Sequence, residues 1–166
     1  MSDAFRIEVD IATQSLALLE GGETRLRYRV STALRGAGED KGSLRTPRGL
    51  HVVRAKIGDG LPCGAVLVGR RPTGETWTPE LHARHPSRDW ILTRILWLSG
   101  LERGRNRLGG VDTMQRFIYI HGSPDNVPMG SPGSHGCIRM RNDDILELFD
   151  AVPIGTRVHI AEDTKA

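Results

Sequence analysis

Short apolar runs alternate with polar positions through the first seventy residues, a period of two that marks strands covered on one face. Residues 5–9, 15–19 and 26–31 fit this pattern, and Glu20-Gly21-Gly22-Glu23 stands between the second and third as a turn, which predicts a β-meander. Residues 35–49 are rich in Gly, Arg and Lys and end in Thr46-Pro47-Arg48-Gly49, a loop entering a strand at 50–57, with another strand at 65–69. Residues 71–90 carry Pro72, Gly74, Pro79 and Pro86 among polar neighbours and are expected to form an ordered surface loop beside a site. Residues 91–98 and 116–121 have the continuous apolar character of buried strands, the second ending on His121. One main helix is expected from Asn142 as N-cap through Asp143 and Asp144, with Ile145, Leu148, Phe149 and Val152 on one face. Pro153 and Gly155 stop it, and a last strand follows at 157–160. The expected fold is β-rich with a single main helix.

Composition narrows this further. A chain of 166 residues with 38% hydrophobic and 26% charged positions suits one domain over 1–166. No run approaches the roughly 20 apolar residues of a membrane helix. Residues 1–10 show no basic segment followed by an apolar one, so a cytoplasmic protein with no membrane partner is expected. A net charge of +3 and 5% aromatics argue against a nucleic-acid partner. The two cysteines, Cys63 and Cys137, make no disulfide framework and leave a thiol free for chemistry.

The informative stretch is Ile120-His121-Gly122-Ser123, a loop rich in Pro and Gly, then Ser134-His135-Gly136-Cys137-Ile138-Arg139. A thiol attacks a carbonyl as thiolate, and a neighbouring imidazole both takes the proton and stabilises the charge. The stiff loop from Gly122 to Ser134 can return Cys137 to His121, Gly136 permits close approach, and the amides around Gly136 and Cys137 could form an oxyanion hole. Taken singly, a cysteine is more often a small buried hydrophobe, and a histidine at a strand end is often merely hydrogen-bonded.

This arrangement closely resembles the L,D-transpeptidase catalytic (YkuD) family, whose signature is a His-Gly pair, a short loop and Ser-His-Gly-Cys. Thr46-Pro47-Arg48-Gly49 is similar to the family's Thr-Pro-x-Gly, so the resemblance covers nearly the whole chain. It implies a sandwich- or barrel-like β-fold with a helix after the cysteine motif, and no cofactor or metal. It implies Cys137 as nucleophile, His121 as base and the carbonyl of Gly122 as the group that orients the base. Ser134, His135 and Gly136 would shape the substrate pocket. Arg139 stands where many members carry Asn and others Arg, and its planar fork suits a substrate carboxylate.

The implied partner is a peptidoglycan tetrapeptide or muropeptide, cut before its terminal D-alanine through a thioester. Hydrolysis would make the enzyme an L,D-carboxypeptidase of murein recycling, whereas attack by an amine would cross-link or exchange D-amino acids. The absence of an export signal favours hydrolysis, as does a weaker likeness of residues 97–106 to carboxypeptidase-type members, in which Glu102 and Asn106 could contact the stem peptide. Two other classes compete. Zinc could be held by His121, His135 and Cys137 with His82 or His85, although the spacing fits poorly; a degenerate fold could bind peptides without cutting them. Cys63 is expected to be dispensable, and His51 and His159 structural.

Overall fold

The computed structural model describes residues 5–163. Three strands, β1 (Phe5–Asp10), β2 (Ser15–Glu20) and β3 (Glu23–Arg29), form the expected meander. They are followed by β4 (Gly49–Ile57), β5 (Ala65–Val68), β6 (Arg71–Thr76), helix α1 (Pro79–Arg84) and the long β7 (Ile91–Gly100). Then come β8 (Tyr119–Ser123), β9 (Ile138–Arg141), helix α2 (Asn142–Ala151) and β10 (Arg157–Ala161). Hydrogen bonding joins the strands in the order β3-β2-β1-β10-β4-β7-β5-β6, and β8 pairs with both β7 and β9. The result is a curled, mostly antiparallel sheet with one main helix, in keeping with the β-rich fold expected. The parallel pairs are β1 with β10 and β8 with β9.

The core follows the two-residue period strand by strand. Ile7 and Val9, Leu16 and Leu18, Leu96 and Leu98, Ile118 and Ile120, Ile138 and Met140, and Val158 and Ile160 all enter one cluster. Helix α2 closes it with Ile145, Leu148 and Phe149, as its 3.6-residue spacing predicts. Burying a side chain of this size is worth about 1.5–3 kcal/mol, so the cluster determines which face of each strand turns inward. Lys56 Nζ donates to the carbonyl of Val152 beyond the helix end, at 2.8 Å.

Three local expectations need correction. Residues 71–90 hold β6 and α1 rather than a loop. Pro72 and Gly74 are tolerated because β6 ends the strand order and bonds on one side only. Helix α1 starts where Thr78 Oγ1 accepts from the Leu81 amide, with Pro79 in the first turn. The strand expected at 116–121 is displaced: a turn occupies 113–117 with Phe117 at φ 58°, and β8 runs through Ser123 instead. The N-cap of α2 is Arg141 with no side-chain cap, because the Asn142 side chain is engaged elsewhere.

His51 belongs to this frame, as expected from its place on a strand. Its Nδ1 lies 3.1 Å from the Gly49 carbonyl and its Nε2 3.0 Å from Thr113 Oγ1, so Nδ1 donates and Nε2 accepts. Burial holds its pKa down at about 4. The unfolded chain, with a histidine near 6.5, therefore binds the proton first, and stability falls as pH drops from about 6.5 towards 4. This group alone removes roughly 3 kcal/mol across that window. Urea unfolding at pH 7 and pH 4 should show the loss, and His51→Gln should show clearly less of it; equal losses would mean His51 is not the responsible group.

Candidate active site

The period that sends Ile118 and Ile120 into the core turns Tyr119, His121 and Ser123 to the opposite face of β8. In the same way Ile138 and Met140 point inward, so Cys137 and Arg139 face outward. The parallel register sets Ile120 opposite Ile138 and His121 opposite Arg139. Cys137, His121 and Arg139 thus line one cavity of about 340 Å3 with Tyr119, Asp89 and Arg70. Two larger hollows, of about 720 and 580 Å3, flank β1 and β2, but neither contains a cysteine. The cysteine motif lies at the smaller cavity.

The Cys137 sulfur accepts from the Tyr119 amide at 3.3 Å and donates to the Phe117 carbonyl at 3.4 Å. Burial pushes its thiol up to about 12, with the Tyr119 amide opposing. His121 is buried, and burial lowers its pKa against the opposing pull of the Gly122 carbonyl. That carbonyl lies 2.6 Å from Nδ1 and can only accept, so Nδ1 carries the proton and Nε2 presents its lone pair. At neutral pH the pair is therefore a thiol and a neutral imidazole.

Gly122 has to be glycine for reasons of space. A Cβ there would stand 2.5 Å from both the Leu92 carbonyl and Asn142 Oδ1. Gly136, at φ 130°, packs against Ile118 and the Arg45 carbonyl, so packing and backbone conformation require it, and it does not line the cavity. Its amide donates to Ser134 Oγ, which in turn donates to the Cys137 carbonyl. The Ser134 hydroxyl thus staples the turn before the cysteine. His135 is exposed at the cavity edge.

Thr46, buried, reaches the same turn. Its hydroxyl donates to the Gly136 carbonyl and accepts from the Ala33 amide, both at 2.9 Å. Sequence reasoning noted this threonine as part of a motif but not as the tie to the cysteine turn. Asp89 was missed entirely because it lies in a stretch read as surface loop. It stands 3.5 Å from Arg139, which also donates to the Gly133 carbonyl. Arg70 is held over Trp97 and Phe117, with ring distances of 4.8 and 4.9 Å, and donates to the Tyr119 hydroxyl.

Several candidates lie away from the cavity. Glu102 accepts from the Leu50 amide, and Asn106, fully buried, donates to the Arg48 and Leu50 carbonyls, so both lock β4 to the end of β7. Cys63 is exposed and His159 pairs with Glu8. Among the described residues no three His, Cys, Asp or Glu side chains gather as metal ligands, and His82 is bonded to Trp77.

The family described as "L,D-transpeptidase catalytic domain" (YkuD) matches residues 4–160. The chain belongs to this family. The probable L,D-transpeptidase YbiS of Escherichia coli K12 is 35% identical over 100 residues, which cover 58% of this chain and 31% of that protein. The match thus spans about a third of the curated relative's length. An L,D-transpeptidase from Xylanimonas cellulosilytica has the same fold, with 25% identity, a TM-score of 0.54 and coverage of 97% of this chain and 62% of that one. The L,D-transpeptidase LdtMt1, solved with imipenem, gives 21% identity and a TM-score of 0.57 over 96% and 59% of the two chains.

In this L,D-transpeptidase domain the Thr46 hydroxyl should matter to both stability and the site. Thr46→Val should cost about 1–3 kcal/mol, the penalty for unpaired buried groups at Ala33 and Gly136. It should also speed iodoacetamide labelling of Cys137 by loosening the turn that keeps the thiol buried, whereas Thr46→Ser should restore both. Intact-mass labelling and thermal unfolding would check this; an unchanged labelling rate would show the tie to be irrelevant to the cysteine.

Proposed function

We propose that the chain is a single catalytic domain that cuts peptidoglycan stem tetrapeptides before their terminal D-alanine through a thioester on Cys137. The observation that carries this reading is the pairing on one cavity wall of the Cys137 thiol with an imidazole whose Nδ1 is tied to the Gly122 carbonyl.

The Cys137 proton passes to His121 Nε2 as the sulfur bonds to the carbonyl carbon. The Gly136 amide is spent on Ser134, which leaves the Cys137 amide as the candidate oxyanion donor. As the carbon–nitrogen bond breaks, imidazolium returns the proton to the departing D-alanine amine. Water then attacks the thioester with His121 as base, giving a tripeptide and regenerating the thiol. Arg139 lies opposite His121 in register and 3.5 Å from Asp89, and in this reading it is the group that binds a carboxylate of the stem.

Hydrolysis is the reading we adopt, on the likeness of residues 97–106 to carboxypeptidase-type members. The names of the relatives favour a second reading, in which an amine of another stem or a D-amino acid attacks the thioester. No helix among the described residues is long and apolar enough to cross a membrane. The cytoplasmic location expected from the sequence remains a proposal, tested by fractionating cells that express the protein.

Incubation with a disaccharide tetrapeptide, with and without a D-amino acid, followed by mass spectrometry, separates the two readings. Tripeptide as the main product supports hydrolysis; dimers or exchanged peptides support transfer. Cys137→Ala should abolish both activity and an imipenem adduct, and His121→Ala should lower turnover about 10²–10⁴-fold. Because burial lowers the His121 pKa, activity should persist below pH 6.5 and be lost only as the imidazole finally protonates. A fully active Cys137→Ala enzyme would overturn the mechanism.

A further inference from the structure

Arg116 lines the Cys137 cavity, and the mechanism above gives it no part. It directly precedes Phe117, whose carbonyl accepts from the Cys137 thiol. The side chain is half-buried, and the acceptors it meets are neutral. Its Nη1 donates to the carbonyls of Gly38 and Glu39 at 3.4 and 3.2 Å, and its Nη2 to Ser43 Oγ and the Arg45 carbonyl at 3.3 and 2.7 Å. The Glu39 carboxylate itself is taken by Arg48, and among the described residues no carboxylate pairs with Arg116. Neutral oxygens satisfy the donors of a guanidinium but leave its charge uncompensated, which is costly away from water.

The negative charge that could meet it is the one that forms on Cys137. A Cβ at Gly136 would lie 3.2 Å from the Arg45 carbonyl and 3.9 Å from Arg116 Nη2, so the guanidinium packs against the turn that carries the thiol. Other charged and titratable groups surround the pair: Arg70, Asp89, Tyr119, His121, His135 and Arg139 line the same cavity, and Glu39 and Asp40 lie near Arg116. Arg70 sits over Trp97 and Phe117, so ring faces meet its charge. Asp89 and Arg139, 3.5 Å apart, act on Cys137 in opposite senses, and the mechanism above gives Arg139 to the substrate. Burial draws the Arg116 pKa down, with Glu39, Cys137 and Asp40 opposing. Burial likewise drives the Cys137 thiol up, and Arg116 is among the groups that oppose it.

We propose that Arg116 is the electrostatic partner of Cys137, its guanidinium stabilising the negative charge that gathers on sulfur as the thiol proton passes to His121 Nε2. The sulfur then bonds to the substrate carbonyl carbon, and no other proton moves in this step. The segment 38–45 serves the site by holding that cation at the thiol. This rests on the acyl-transfer reading above, and adds to it the fixed charge that offsets the burial of the thiol.

The test follows iodoacetamide alkylation of Cys137 across neutral and alkaline pH in wild type, Arg116→Gln and Arg116→Lys, with peptide mass mapping to separate it from the exposed Cys63. Below the thiol pKa the rate follows the thiolate fraction. Loss of the cation in Arg116→Gln should raise the thiol pKa, slowing labelling about three- to tenfold at each pH and moving the profile to higher pH, as one partly screened charge would. Arg116→Lys should label within about twofold of wild type, because it keeps the charge and loses only the planar fork that grips the segment. A purely structural latch predicts the reverse, since either variant would loosen the turn, expose the thiol and speed labelling. Unchanged or faster labelling of Arg116→Gln, with folding checked by circular dichroism, or equal slowing of both variants, would overturn the proposal. Should Arg116→Gln not fold, Arg116→Lys still decides, because a shifted profile or faster labelling there would overturn it as well. Alkylation needs no peptide, so the acyl-transfer reading fails separately: wild type that forms no imipenem adduct and no tripeptide, yet shows the expected alkylation pattern, would sink that reading and leave the Arg116–Cys137 coupling standing.

Discussion

The site depends on the parallel ladder between β8 and β9. A parallel pair cannot be closed by a tight turn, so residues 124–137 must cross over and return in register. The crossover is held against the segment after β3: Gly130 donates to the Val30 carbonyl, Gly133 and Ser134 to that of Thr32, and Arg139 exchanges amide bonds with Ser31. Thr46 adds the bond to the Gly136 carbonyl. With the register fixed, the inward pull on Ile120, Ile138 and Met140 leaves His121, Cys137 and Arg139 no choice but to share the other face.

Burial then decides the electrostatics. It raises the thiol and lowers the imidazole, so the resting pair holds no charge separation. A neutral thiol bonded to the Phe117 carbonyl is a poor target for oxidants, which act on exposed thiolates. In the mechanism proposed above, the nucleophile forms only when a carbonyl arrives to take the sulfur's electrons as His121 takes the proton. Arg139 and Asp89 set charges of opposite sign beside this event and act on His121 in opposite directions.

Much of this was legible in the sequence because the governing patterns are local. The two-residue period of β1, β2 and β10 and the apolar stripe of α2 each read correctly, and the cysteine motif singled out the residues that meet at the cavity. Strand β9 was not read as a strand because four residues following Ser-His-Gly-Cys carry too little period of their own, and their pairing partner is distant in sequence. Helix α1 was hidden by Pro79, read as a loop signal when it begins a helix. Asp89 carries no motif; it matters only through Arg139, supplied by another element.

The link between helix α2 and the base shows the same dependence. Between Leu92 and Ile95 the pairing of β7 with β8 shifts register, and Thr93 there takes φ 74°, a conformation costing a β-branched residue about 1–3 kcal/mol. Its hydroxyl accepts from the Gly64 amide at 2.9 Å and donates to Asn142 Oδ1 at 2.6 Å, which holds the bulge in place. The bulge sets the Leu92 carbonyl and Thr93 Cβ against Gly122, and Asn142 closes the same point from the helix. Gly122 is the residue whose carbonyl orients His121. Asn142 thus bridges to Thr93 instead of capping, and the helix after the cysteine motif is coupled through Gly122 to His121 as well as to the core.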